Sequence, residues 1–235
     1  MSDGVISISK RENFLWVEGG DDKGVCHALL NDCSITSSKK KDFFVANNEP
    51  FKIEPIGGID NIVKALKTSI KGDAAHNRYG VVVDADTDET NAGLKETWRR
   101  LGAVLTEIGY TDIPSVPELD GTILRGNEDL PLMGIWVMPD NKLNGMIEDF
   151  IGFLGPQNDE LWPLAIDIVE KVISTKRNFR LSYKSKAYLH TWLAWQEEPG
   201  QPMGLAITKK YLDANAEHAQ RFVSWIRKLF ELEGK

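Results

Sequence analysis

The sequence predicts an α/β fold: a mainly parallel sheet flanked by helices, followed by a helical C-terminal extension. Three observations carry this. Short apolar runs alternate with segments of helical hydrophobic spacing through the first half of the chain, an order that implies parallel strands joined by right-handed crossovers. The run Tyr79-Gly80-Val81-Val82-Val83 reads as a buried strand and breaks abruptly into Asp84-Ala85-Asp86. Beyond Gly155-Pro156 only helical patterns recur. The expected division is residues 1–155 as the α/β core and 156–235 as the extension, packed on the core as one unit.

The elements follow in order. Phe14 to Val17 is a strand, and about Asp21 to Asn31 a helix. Phe51 to Ile56 is a second strand, which Pro55 ends or places near an edge. Ile59, Ile62, Val63, Leu66 and Ile70 keep helical spacing, and Tyr79 to Val83 is the third strand. Leu94, Trp98, Leu101, Leu105 and Ile108 mark an amphipathic helix after it. From Thr111 to Asn127 the chain is rich in Pro, Gly and Asp and reads as loop, with Thr122-Ile123-Leu124 placed to pair with a strand over Leu132 to Met138. A helix then carries Ile147, Phe150, Ile151 and Leu154. In the extension, one stripe comprises Leu161, Leu164, Ile168, Val169 and Val172. A second holds Tyr188, Leu189, Trp192 and Trp195, and a third Phe222, Trp225, Ile226 and Leu229. Lys39-Lys40-Lys41 reads as a mobile surface loop.

Composition narrows the function. With 235 residues, 42% of them apolar, and seven Trp and nine Phe, core material is ample. No apolar stretch is long enough to span a bilayer and Met1-Ser2-Asp3 opens no signal peptide, so a cytoplasmic protein without membrane contact is expected. Cys26 and Cys33 fall on one helix, about 10 Å apart along its axis, too far for a mutual disulfide. No zinc-site spacing is present. The net charge of −7 means that any nucleic acid must meet a local basic patch, a metal or a partner's surface.

Three acidic segments stand where chemistry could sit. Glu18 follows the first strand inside Val17-Glu18-Gly19-Gly20-Asp21-Asp22, where the chain can turn tightly and a ligand approach; a solvated strand end with Asp21 or Asp22 supporting the next helix reads as well. Asp84 and Asp86 lie two apart, so they point the same way if the extended conformation persists. Like charges so placed repel unless a cation such as Mg²⁺ or Mn²⁺, which takes oxygen ligands, lies between them. The competing reading is a loop of Asx turns with Thr87 and Asp88. Glu148, in Gly145-Met146-Ile147-Glu148-Asp149, is either a third acid of the site or an ordinary helix N-terminal Glu. The basic run Lys176, Arg177, Arg180, Lys184 and Lys186 is either a solvated face or a path for phosphates. His190, four residues beyond Lys186, reads as a packing histidine.

Taken together, Glu18-Gly19-Gly20-Asp21-Asp22 and Asp84-Ala85-Asp86 resemble the Toprim pattern of topoisomerases, primases and OLD-type nucleases: a Glu after the first strand, then Asp-x-Asp after a later one. The resemblance covers roughly Phe14 to Leu154. Over the whole chain, Gly134 to Asn141, Gly145 to Phe150 and Lys186 to Gln196 resemble small standalone Toprim-like proteins. The resemblance implies a Toprim-like, Rossmann-like fold and a carboxylate-bound Mg²⁺ or Mn²⁺. Glu18 would be ligand or acid–base group, Asp84 and Asp86 ligands, and Asp22 and Glu148 would complete the set. It also implies a Lys186 that stabilises developing charge; Lys176, Arg177, Arg180 and Lys184, read from their lack of intervening acids, would be the nucleic-acid-binding run. The implied activity is metal-dependent cleavage of DNA or RNA. The implied setting is an ABC- or SMC-type ATPase partner in a bacterial anti-phage module, with homo-oligomerisation open. The tyrosine context and companion domains of topoisomerases are missing, as are the zinc and helicase-binding parts of primases.

Two other classes stay open: a non-cleaving regulatory or binding module of an ATPase complex, and a haloacid-dehalogenase-type phosphatase. The last ranks lowest. Its first motif also uses Asp-x-Asp, but Asp88 stands where Thr or Val is expected and no later Lys–Asp–Asp set is evident.

Overall fold

Side chains alternate between two hydrophobic layers along the central strands, as the pleat requires. In a computed structural model describing residues 13–33, 43–46, 49–70, 77–86, 93–126 and 129–232, the strands are β1 (Asn13–Val17), β2 (Phe43–Ala46), β3 (Glu49–Pro55), β4 (Arg78–Asp84), β5 (Thr122–Leu124) and β6 (Leu132–Met138). They form one six-stranded sheet in the order β2-β3-β1-β4-β6-β5. The four central strands run parallel, with antiparallel β2 and β5 at the edges. Leu15 and Val17 of β1, Val82 of β4, and Trp136 and Met138 of β6 enter one layer. Trp16, Tyr79, Val81, Val83, Met133, Ile135 and Val137 enter the other.

The helices are α1 (Gly20–Asp32), α2 (Ile59–Ser69), α3 (Gly93–Ile108), α4 (Ile147–Gly152), α5 (Leu161–Thr175), α6 (Lys184–Leu193), α7 (Met203–Thr208) and α8 (Glu217–Phe230), with a 3₁₀ turn at Leu181–Tyr183. Buried residues of α1, α4, α7 and α8 join the first layer, and those of α2 and α3 the second. This division follows from chain direction. From β1 the chain moves through α1 to β3 on one side, then reverses through α2 to β4 and α3 to β6 on the other. Right-handed crossovers running in opposite directions must lie on opposite faces. The reversal falls between β1 and β4, so their carboxyl ends flank the crevice where ligands bind in open α/β sheets.

The expected strands and helices are all present, with ends shifted by a few residues. Pro55 is the last residue of β3, beyond the segment that pairs with β2, so its missing N–H breaks no ladder. Three elements were not anticipated: β2, α7 and the 3₁₀ turn. Phe43 to Ala46 is too short to show alternation, and α7 spans under two turns. The Lys39-Lys40-Lys41 reading lies outside the described residues. The α5 stripe also differs from its appearance in sequence. Leu161, Leu164 and Val172 stay exposed; of the stripe the helix buries Val169, joined by Ala165, which the stripe did not include.

Residues after 155 build much of the first layer. Phe222, Trp225, Ile226, Leu229 and Phe230 of α8 pack with Leu15, Phe51, Val82 and Trp136. Two glycines admit this helix. Gly80 and Gly134 are register partners across β4 and β6, and a Cβ on either would lie 2.9 Å and 2.4 Å, respectively, from Leu229 Cδ2. Gly134→Val should therefore destabilise the fold by about 1–3 kcal/mol through overpacking, measured by urea denaturation. Adding Leu229→Ala in that background should cost less than the sum of the two single changes, because the second vacates the space the first needs.

Candidate functional site

The site is built from the segments that leave the carboxyl ends of β1, β4 and β6. Glu18 is the first residue beyond β1; α1 begins two residues later, and Asp22 lies in its first turn. Asp22 reaches back to the start of that helix: the Gly19 N–H donates to Asp22 Oδ2 at 3.0 Å. Asp84 ends β4. Asp86, two residues on, adopts φ 60° and exchanges two 2.9 Å backbone hydrogen bonds with Gly145. The Asp-x-Asp spacing would align the two side chains only if the strand continued through Asp86; the left-handed turn replaces that continuation. Asp is among the residue types that tolerate this region.

Beyond β6 comes a loop held by its own polar groups. Asp140 Oδ1 accepts from the Lys142 and Leu143 N–H groups, and Asn141 Oδ1 from the Val137 N–H at 2.7 Å. Gly145, at φ 143°, closes it. A Cβ there would lie 2.6 Å from Asp149 Oδ2, which accepts the Met146 N–H and caps α4. The first turn of α4 then delivers Glu148, 4% exposed.

Two hydrogen bonds lace these segments together. The Asp84 N–H donates to Glu18 Oε1 at 2.9 Å, joining β1 to β4. The Ile147 N–H, at the start of α4, donates to Asp84 Oδ1 at 3.0 Å. An anion at that helix end is favoured. The acids also act on one another. Burial lifts the Glu18 carboxyl to about 7, the Asp84 N–H opposes the rise, and Asp22 and Asp86 add to it. Burial likewise lifts Asp22 to about 6 with Glu148 contributing, and raises Asp84 strongly, with Asp22, Glu18, Glu148 and Asp86 adding to the effect. Asp86 is raised by burial and held back by Lys186. The five predicted acids thus share one electrostatic neighbourhood.

Lys186 reaches the same place from α6. Its ammonium lies 3.2 Å from Glu148 Oε1. Burial alone would lower its pKa, but Glu148 and Asp84 outweigh that and raise it. The rest of the basic run behaves otherwise. Lys184 pairs with Glu170 at 2.5 Å and lies over the Tyr188 ring, while Lys176, Arg177 and Arg180 are exposed in the connection from α5 to the 3₁₀ turn. His190 is exposed rather than packed. Cys26 is buried and Cys33 half-buried, both as free thiols.

Three contributors were missed. Ser185 donates to Asp149 Oδ1 at 2.5 Å and so pins α6 to the start of α4, which sets Lys186 beside Glu148. Asp149 is adjacent to a predicted acid, yet serves two donors as a structural acceptor. Arg100, on α3, lowers the Glu18 pKa and also pairs with Asp60. Ser185 and Arg100 carry no sequence signal, since a serine before a lysine and a charge on an amphipathic helix are ordinary.

The donor set suits a hard divalent cation: every candidate ligand is a carboxylate oxygen. Asp22 Oδ1 and Glu148 Oε2 are buried with no hydrogen-bond partner, a costly state for an acid unless something positive joins it. As the side chains stand, no three Asp, Glu, His or Cys groups among the described residues form a set that could hold a metal ion. The fit is therefore one of chemistry and neighbourhood rather than of finished coordination.

Residues 12–231 match the sequence pattern of a family described as protein of unknown function (DUF3226). The chain belongs to that family. No curated protein and no solved structure matches it. Among its described residues no helix is long and apolar enough to cross a membrane.

The raised carboxyl pKa values have a consequence for stability. Between the ordinary carboxylate range and about 7, the folded chain binds more protons than the unfolded one, so stability falls as pH rises through that window. In EDTA, the melting temperature should drop from about pH 5.5 to pH 8 by the equivalent of roughly 2 kcal/mol. Glu18→Gln should flatten the dependence, and Mn²⁺ at pH 8 should recover most of the loss. Differential scanning fluorimetry reads all three.

Proposed function

We propose that the chain is a metal-dependent nuclease of Toprim/OLD type, hydrolysing phosphodiester bonds in DNA or RNA. The observation that carries this is the gathering of Glu18, Asp22, Asp84, Asp86 and Glu148, with Lys186 beside them, at the sheet's switch point. Glu18, Asp22, Asp84, Asp86 and Glu148 would hold Mg²⁺ or Mn²⁺. When bound, the ion polarises the phosphodiester and offsets the charge of the acids.

The chain's own residues supply the rest. Glu18, whose carboxyl pKa is raised by burial and neighbouring acids in the metal-free chain, would serve as ligand or as the group that takes a proton from attacking water. The Asp84 N–H on its Oε1 holds the carboxylate in orientation and leaves the other oxygen for that proton. Lys186 is cationic and, fixed beside Glu148, opposes negative charge that grows on the phosphoryl oxygens during displacement. Lys176, Arg177 and Arg180 offer an exposed run for the backbone on either side. Lys184 contributes less, since Glu170 neutralises it. With a net charge of −7, tight binding would draw on a partner's surface, such as an ABC- or SMC-type ATPase of an anti-phage module.

Purified protein should nick plasmid DNA or cut tRNA in the presence of Mn²⁺. Glu18→Gln and Asp84→Asn should each lower the rate by about 10²-fold or more, and Lys186→Met by about 10–100-fold. Wild-type rates in folded variants would overturn the assignment.

The second reading is a non-cleaving binding module, which the lack of a finished metal-holding set among the described residues favours. Calorimetry separates the two. The nuclease reading expects Mn²⁺ uptake that Asp84→Asn abolishes; no uptake by the wild-type chain leaves the binding module.

A further inference from the structure

A cavity of about 320 Å³ opens beside the acids, lined in part by Asn144, Glu148, Phe153, Trp162, Ser185 and Tyr188. Its volume falls at the small end of the range for small-molecule sites. Glu148 belongs to both places. It faces Lys186 through Oε1, acts on Asp22 and Asp84, and lines the cavity.

The aromatic walls are held from behind. Trp162 meets Trp192 edge-on, with ring centroids 5.7 Å apart, and the Trp192 indole N–H donates to Asp159 Oδ2 at 2.6 Å. Asp159 Oδ1 also accepts from the Leu161 and Trp162 N–H groups, fixing the start of α5. The Tyr188 hydroxyl donates to Glu170, and Phe153 stacks on His218 with centroids 4.0 Å apart. All three rings are nonetheless only half-buried. Rings fixed at one edge and open at another are suited to receive a flat partner.

The polar groups narrow that partner. Glu148 brings a carboxylate acceptor to the lining, to which an amino group on a heteroaromatic ring would donate. Asn144 uses its carbonyl to accept the Leu94 N–H at 2.8 Å, which leaves its amide N–H groups to donate. Flat walls with one acceptor and one donor describe a site for a nucleobase carrying an exocyclic amine: adenine, cytosine or guanine.

We propose that this cavity binds the base of an unpaired nucleotide whose phosphate lies at the acid cluster, so that the chain acts on single-stranded or locally unpaired nucleic acid. This rests on the nuclease reading for the position of the phosphate. A base inside a duplex cannot enter such a cavity without leaving its stack.

The test needs neither metal nor cleavage. Adenosine and cytidine are titrated into the full chain in EDTA and followed by saturation-transfer NMR, with ribose as control. Nucleosides avoid the repulsion that a phosphate would feel from the acids. Saturable adenosine or cytidine binding with a midpoint near ~1 mM, and ribose at least about tenfold weaker, is expected. Trp162→Ala and Asn144→Ala should each weaken binding at least about fivefold, with Asn144→Ala guarding against a fold defect in the tryptophan variant. No binding, binding equal to ribose, or unchanged binding in both variants overturns the proposal. Nucleoside binding without Mn²⁺-dependent cleavage would sink the nuclease reading alone, whereas Glu18-dependent cleavage without nucleoside binding would sink the base site alone.

Discussion

Two carboxylate–amide hydrogen bonds determine how the rest of this molecule is arranged. Glu18 accepts from the backbone of Asp84, and Asp84 from the backbone of Ile147. Each bond gives a half-buried acid a backbone donor, and each ties segments from different strands together. Acids gathered at a sheet's carboxyl edge would drive the strand ends apart if left to Coulomb repulsion. Here the backbone supplies partial positive charge at the points where the chain needs fixing. Among the described residues, Asp22 Oδ1 and Glu148 Oε2 stay buried without a hydrogen-bond partner.

The helical region after residue 155 is bound up with the same arrangement. Its α8 fills the layer above β4 and β6, admitted by the paired Gly80 and Gly134. Its α6 returns to the acids, pinned by Ser185 on Asp149. The cation of the site therefore comes from a part of the chain that the α/β core does not contain. Covering the sheet and completing the site are tasks of one C-terminal segment.

Much of the fold could be read in advance because its signals are local. Val81-Val82-Val83 shows a strand buried on both faces, and Ile59 to Ile70 or Leu94 to Ile108 show a helical period. The acids were legible for the same reason: each follows directly on a strand or opens a helix. The rest depends on tertiary contacts that leave no pattern. Nothing in Leu161, Leu164 and Val172 tells that α5 leaves them outside and turns Ala165 inward beside Val169. Ser185 and Arg100 act across distances in sequence that no spacing rule covers. The sequence left open whether the strand continued through Asp86 or turned there, and its pairing with Gly145 bends the chain. The basic run was read as one unit from its lack of acids, but Glu170, a helix away in sequence, sets Lys184 apart from its neighbours.

That bend at Asp86 bears on how its charge can be probed. The residue holds a left-handed backbone and a reciprocal amide pair with Gly145, the hinge into α4. Alanine at this position would remove a carboxylate and also strain the turn that aims Glu148, so two losses would be read as one. Asparagine tolerates the same backbone and nearly the same shape, and so removes the charge while sparing the geometry. At this single position, the choice of replacement decides whether an experiment reports on electrostatics or on architecture.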